Sequence, residues 1–386
     1  MKQVLISQVD ALFANGAYPV EFLFAFKGPL SARRLRRALR ALAPLFWPAF
    51  GEYREGVIVF DRYREEVVFD ERSVGRKLDA AELETAPFET LAEFGRKDPG
   101  RLFFLTATRF TDGLVIVPAM SHLAGDGYSY FFFLSALAAL TRAAFLPIRA
   151  PFLKAIYKPH HRRTALGGFA PQGTVRRPAP AAPPARPAVE SLEVPKADIQ
   201  ALVREASASG LRLSSNDILS AMVVRRLAEV RGRTAAAASR LTIPIDVRGR
   251  VPELGRKFFG NGIMLHTMDL DGPPGGADVK ELAARVRGSM PQVSRDVYRT
   301  YLAGLERMIA EERWEEFRPF DPDKGCLITN LSKLPSDRLD LGAGPPEAVV
   351  PLTVERNSAA ILARGDNYVL RIGHGSGRGP GREESL

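Results

Sequence analysis

The sequence predicts an α/β protein of two lobes, each a mixed β-sheet with flanking helices. Three observations predict it. Short β-rich runs alternate with segments of three- and four-residue apolar spacing in both halves of the chain. At 386 residues, with 46% apolar against 25% charged, the chain exceeds what a single hydrophobic core usually serves. Between Thr164 and Ala188 lie Gly167, Gly168, Pro171, Gly173, Pro178, Pro180, Pro183, Pro184 and Pro187 with few large apolar residues, the composition of a linker. The chain thus divides into a first lobe over 1–165, a linker over 166–190, a second lobe over 191–372 and a disordered, glycine-rich charged tail over 373–386.

In the first lobe, Ala32 to Leu42 repeats apolar residues at helical spacing behind Ser31, a natural cap, and ends near Pro44. Strands are expected at Gly56 to Phe60, Glu66 to Phe69, Leu102 to Phe110 and Leu114 to Met120, the last two forming a hairpin through Thr111-Asp112-Gly113. That hairpin delivers its final residues into Ser121-His122; Gly125 and Gly127 then break the backbone, and Tyr128 onward reads as a buried helix. In the second lobe, helices are expected over Lys196 to Ser209, Ser215 to Val230, Ala277 to Met290 and Tyr298 to Phe317. Strands are expected over Leu241 to Asp246, Gly262 to Leu270, Cys326 to Asn330, Ser358 to Arg364 and Asn367 to Ile372.

Composition narrows the function classes. A single cysteine, Cys326, rules out an internal disulfide and the zinc sites built on paired cysteines. The amino terminus lacks the apolar core and cleavage site of a signal peptide, so a cytoplasmic location is expected. The longest uncharged apolar run, Tyr128 to Thr141, is shorter than the ~20 residues that cross a bilayer, and no membrane span is expected. The formal charge of +10 suits an anionic partner, though arginine-rich composition makes a solvated basic surface the simpler account. No nucleic-acid partner is expected, and the chain is read as a monomer.

His122 is the chemical candidate. An imidazole, with an unperturbed pKa of ~6.5, is the natural general base at neutral pH. The residues alone leave a second account open, in which His122 packs a strand end and Asp126 caps the helix beginning at Gly127. A metal site built on His122 and Asp126 lacks a third ligand nearby, the other histidines being His160, His161, His266 and His374.

Read together, His122-Leu-Ala-Gly-Asp126-Gly127 at the end of an apolar strand resembles the HxxxDG motif of the coenzyme A dependent acyltransferase superfamily, which includes chloramphenicol acetyltransferase, the BAHD enzymes and condensation domains. Further landmarks follow in order. Ile6-Ser7-Gln8-Val9-Asp10 is similar to the Ser-x-x-Asp opening, and Lys158-Pro159-His160-His161-Arg162 to the Pro-x-x-Arg stretch leaving the first lobe. Ile245 to Arg250, then Phe258-Phe259-Gly260-Asn261, resembles Asp-x-Arg-x-Arg leading to Tyr-Phe-Gly-Asn. Asp340-Leu341-Gly342-Ala343-Gly344 resembles Asp-Phe-Gly-Trp-Gly with both aromatics replaced. The likeness spans roughly residues 5 to 372.

The resemblance implies two chloramphenicol acetyltransferase-like lobes with an active-site tunnel between them, and transfer of an acyl group from a thioester, acyl-CoA foremost, to a hydroxyl or amine acceptor. His122 is then the general base, and Asp126 points away from the reaction to pair with Arg248, shaping the loop with Gly127. Asn330, Ser332 or a backbone amide near Gly342 is implied as oxyanion donor, and Arg250, Arg256 and Lys257 as partners of the coenzyme's phosphates. No permanently bound cofactor and no metal is expected. Ser121 stands where condensation domains carry a second histidine, which favours a free-standing acyltransferase, and a place in secondary metabolism is expected. The alternatives are a condensation-type catalyst using an acyl carrier protein as donor, or an inactive carrier-protein docking module.

Overall fold

The computed structural model describes residues 1–14, 19–95, 101–143, 153, 156–165, 168–169, 187–230, 240–270, 276–313, 316, 320–323 and 325–375. The first lobe opens with β1 (Lys2–Leu5), α1 (Gln8–Ala11), β2 (Val20–Lys27) and α2 (Ala32–Leu42). It continues with β3 (Glu52–Arg54), β4 (Val57–Phe60), β5 (Phe69–Ser73), α3 (Ala80–Thr85) and α4 (Phe88–Ala92), then β6 (Phe103–Arg109), β7 (Gly113–Met120) and α5 (Gly127–Arg142). In the second lobe come β8 (Ala188–Pro195), α6 (Lys196–Ala208), α7 (Ser215–Val230), β9 (Arg240–Asp246), β10 (Ile263–Asp269), α8 (Val279–Ser289) and α9 (Arg295–Ala310). The described chain closes with β11 (Cys326–Asn330), β12 (Ala348–Pro351), β13 (Ser358–Arg364) and β14 (Asn367–His374).

The α/β reading holds as two sheet-bearing lobes. One mixed sheet runs β12-β2-β7-β6-β5 and the other β10-β9-β11-β13-β14-β8, with a small β1-β4-β3 sheet beside them. In β2, period-two alternation buries both faces: Phe22, Phe24 and Phe26 enter the main core with α2 and α5, while Leu23 and Ala25 join a smaller core under α3 and α4. Ser31 caps α2 by accepting from the Arg34 amide, and Leu35, Ala38, Leu39 and Leu42 form its buried stripe. The hairpin of β6 and β7 pairs Phe103 with Met120 through Arg109 with Leu114, so β7 ends two residues before His122. No helix among the described residues is long and apolar enough to cross a membrane.

Five features differ from expectation. The helix expected over Tyr298 to Phe317 runs Arg295–Ala310, capped at its start by Ser294, and Phe317 lies outside the described residues. Glu65–Val67 is a short 3-10 turn, and the strand starts at Phe69 instead. β5 is an edge strand paired in parallel with β6, which lets it carry the polar Asp-Glu-Arg-Ser sequence that hid it. β8 begins at Ala188, inside the stretch read as linker, and residues 170–186 lie outside the described residues. The tail assigned to 373–386 begins too early: Gly373 and His374 complete β14 opposite Val189 and Ala188, and 376–386 lie outside the described residues. Finally, β12 departs from the second lobe altogether. Ala348 to Pro351 pair antiparallel with Ala25 to Phe22, making a carboxy-terminal segment the edge strand of the first sheet.

Phe133 of α5 lies at the centre of an edge-to-face aromatic cluster, with ring centroids 5.3 Å from Phe46, 5.8 Å from Phe50 and 5.1 Å from Phe103. Phe133→Ala is expected to destabilise the protein by about 3–5 kcal/mol, read as a lowered midpoint in chemical denaturation.

Candidate active site

After β7 the chain turns sharply. The Ser121 amide donates to the Leu102 carbonyl, closing the hairpin, and the Ala124 amide donates to the Ser121 carbonyl. Asp126 then caps α5, its carboxylate accepting from the Ser129 amide. The same carboxylate meets Arg248 in a two-pronged pair, Nη1 to Oδ2 and Nη2 to Oδ1, both at 2.9 Å, and accepts the Gly262 amide at 2.8 Å. The cap and the ion pair, distinct accounts at the level of sequence, thus coexist. Arg248 also donates to Asp246, Ser129 Oγ and the Gly260 carbonyl. Its guanidinium lies 4.6 Å from the centre of the Tyr128 ring.

Both partners are sealed from solvent, with side chains 1% and 3% exposed. Burial opposes ionisation of Asp126, but the Arg248 charge and hydrogen bonds outweigh it and hold the carboxyl below its usual range. Gly262 permits the approach: a Cβ there would sit 2.7 Å from the Arg248 guanidinium carbon.

His122 occupies the turn between β7 and this pair. Its Nδ1 lies 2.9 Å from Asn261 Oδ1. The amide of Asn261 is oriented by its own donors, since Nδ2 donates to Asp10 Oδ1 and to the His122 carbonyl, each at 2.8 Å. With both amide hydrogens engaged by acceptors, Oδ1 must accept, so Nδ1 of His122 carries the proton and Nε2 holds the lone pair. Asp10 is fixed in turn by Ser7, whose amide and hydroxyl donate to Oδ2, and by Arg163 Nε at 3.4 Å. Burial lowers the His122 pKa, the partial offsets from Asp126, Asn261 and Asp10 being smaller, so the imidazole is neutral at pH 7.

The remaining candidates are placed less directly. Gly127 lets α5 seat close to the 331–334 turn, because a Cβ would come 3.1 Å from Leu331 Cδ2. Asn330 and Ser332 flank Leu331, but their donors are directed elsewhere: Asn330 Nδ2 donates to Asn216, and the Ser332 hydroxyl and amide both donate to Asn330 Oδ1. The Gly342 and Gly344 amides likewise donate to Asp340 Oδ1. The Ser332, Gly342 and Gly344 donors thus close turns, and one Asn330 N–H is committed to Asn216. Arg250, Arg256 and Lys257 are exposed, and no carboxylate among the described residues pairs with them. The Tyr128 hydroxyl donates to the Arg256 carbonyl, so this basic segment lies over the first turn of α5.

Asn261, Asp10, Arg163 and Ser129 are missing from the sequence-derived site. Asn261 and Asp10 lie inside the landmarks named above, and that placement is the available signal. Arg163 corrects the Pro-x-x-Arg reading: Arg162 is exposed, while Arg163, one residue on, is turned inward to Asp10, the Ala124 carbonyl and the Phe259 carbonyl. Gly260 makes room for it, a Cβ there falling 1.4 Å from Arg163 Nη1. Among the described residues no three His, Cys, Asp or Glu side chains gather as metal ligands.

A family profile described as Transferase family matches residues 81–370. Vinorine synthase superposes with a TM-score of 0.71 at 19% identity, covering 97% of this chain and 91% of its own. TRI101 of F. sporotrichioides, complexed with coenzyme A and T-2, gives 0.69 at 15% identity over 96% and 94% of the two chains. The first condensation domain of the CDA synthetase gives 0.60 at 15% identity over 98% and 92%. No curated protein matches the chain by sequence.

Removing one member of the buried pair leaves the other charge uncompensated, so Arg248→Ala is expected to cost about 3–5 kcal/mol of stability. Asp126 has a folded pKa below its unfolded value of about 3.9, so its contribution is full above that pH and is lost as pH falls through the folded pKa. The stability gap between wild type and Asp126→Asn, measured by denaturant titration, should therefore be wide at pH 7 and narrow below about pH 4.

Proposed function

The chain belongs to the Transferase family, the BAHD type of acyltransferase, and from that premise we propose that it moves an acyl group from acyl-CoA to a hydroxyl or amine acceptor with His122 as general base. The observation that carries this reading is the fixed tautomer of His122, whose Nδ1 proton is committed to Asn261 so that Nε2 is the basic nitrogen. Neutral His122 removes the acceptor's proton as its oxygen or nitrogen attacks the thioester carbonyl. The tetrahedral adduct then collapses, expelling thiolate, which takes the proton back from the imidazolium. Both substrates meet on the enzyme, and no acyl-enzyme forms.

Asp126 and Arg248 take no part in proton transfer on this reading; they hold the loop that presents His122. Asn330 and Ser332 keep the 331–334 turn in shape, and the oxyanion draws its donors from elsewhere. Arg250, Arg256 and Lys257, exposed and without a carboxylate partner among the described residues, are available to the coenzyme's phosphates through charge-assisted bonds. The TRI101 neighbour, complexed with coenzyme A and T-2, supports coenzyme A as the carrier and a small molecule as the acceptor. The condensation-domain neighbour keeps a carrier-protein-bound donor as the competing assignment.

Purified protein incubated with a panel of acyl-CoA donors and alcohol or amine acceptors, with products read by mass spectrometry, should yield acylated acceptor. His122→Ala should reduce turnover by about 10²–10⁴-fold. Asn261→Leu, which frees the tautomer, should lower kcat with little change in KM. Because burial lowers the His122 pKa, the acid limb of kcat/KM should fall below pH ~6.5. Wild-type turnover by His122→Ala would overturn the general-base assignment. Product formed only from an acylated carrier protein would overturn the donor assignment.

A further inference from the structure

Hydrogen bonds hold one edge of the His122 ring, but a bond at Nδ1 alone lets an imidazole tilt about the N–H···O axis, because acceptance at a carbonyl oxygen is angularly broad. The ring face needs a separate restraint. Phe13 lies against it, with centroids 3.9 Å apart and planes at 17°. Phe13 is 3% exposed, packed in the main core with Ile6, Val9 and Leu12.

The segment that delivers Phe13 is tied to the same carboxylate that orients Asn261. Ser7 and Asp10 cap each other across α1, the Asp10 side chain receives Asn261 and Arg163, and the Asp10 carbonyl accepts the Phe13 amide at 3.0 Å. One residue thus anchors both the edge contact and the face contact of the imidazole.

We propose that Phe13 is a positioning residue for the acyl transfer, clamping the face of His122 so that Nε2 is aimed in one direction while Asn261 holds Nδ1. The proposal rests on the general-base reading of His122. The stack also acts differentially. Before proton transfer the ring against Phe13 is neutral; afterwards it is an imidazolium, which the electron-rich face of a phenyl ring attracts. A contact that strengthens as the reaction proceeds raises kcat without tightening ground-state binding. Leucine or methionine fills similar space with no π face, so either keeps the packing and removes this contribution.

Selective ¹³C labelling of the five histidines makes the contact measurable in the whole enzyme. Protons held over a phenyl face are shifted upfield, so the His122 ring signals, assigned by their loss in His122→Ala, should lie upfield in wild type and return to ordinary positions in Phe13→Leu. Phe13→Leu and Phe13→Met should each lower kcat about 3- to 30-fold with KM nearly unchanged. Ordinary shifts for His122 in the wild type would overturn the proposal without requiring any variant to fold. So would wild-type kcat in either variant alongside an inactive His122→Ala, an outcome that leaves the general-base reading intact. An active His122→Ala would instead remove that reading, and the positioning role with it.

Discussion

The buried pair between Asp126 and Arg248 is the interaction on which the site depends. A guanidinium 1% exposed is tolerable only where nearly every N–H finds an acceptor, and here Asp126, Asp246, Ser129 Oγ and the Gly260 carbonyl provide them. The acceptors belong to both lobes, so satisfying one cation draws the end of β9, the 260–262 segment and the first turn of α5 to a common point. His122 precedes that turn and Asn261 lies within that segment, which is why their side chains meet. Substituting an apolar pair of equal volume could match the stability but would carry no directional information to the 122–127 loop.

Much of this was legible in the sequence where a periodicity or a motif was strong. The amphipathic stripe of Ala32 to Leu42, the hairpin around Asp112-Gly113 and the His122 to Gly127 motif each depend on near neighbours along the chain, and each is found where it was expected. Features set by distant partners were hidden. The polar strand β5 is stable only because β6 pairs with it, and β12 only because β2 has a free edge. The distinction between Arg162 and Arg163 turns on which way an irregular chain faces, for which one-residue spacing holds no signal. Nor does any local pattern tell that Ser332 donates to Asn330 while Asn330 donates to the distant Asn216.

A chain of fixed hydrogen bonds also explains the economy of the His122 environment. Ser7 donates to the Asp10 carboxylate, Asn261 Nδ2 donates to that carboxylate and to the His122 carbonyl, and Asn261 Oδ1 is thereby left to accept from His122 Nδ1. Burial then keeps the imidazole uncharged in the resting state. Hydrogen-bond direction thus sets the tautomer, while desolvation sets the charge state against a smaller opposing pull from the same Asn261 and Asp10.

β12 carries a mechanical consequence. The polypeptide leaves the second lobe, lays Ala348 to Pro351 along β2 with Glu347 and Leu352 bonding at either end, and returns to start β13 at Ser358. The halves are therefore stitched together, and swinging them apart like a clamshell would strip an edge strand from its sheet. Any relative motion that parts β12 from β2 is opposed by that ladder of hydrogen bonds. The same stitch forbids treating the halves as interchangeable cassettes, since an amino-terminal half taken from one relative would need the matching edge strand from that relative's other half.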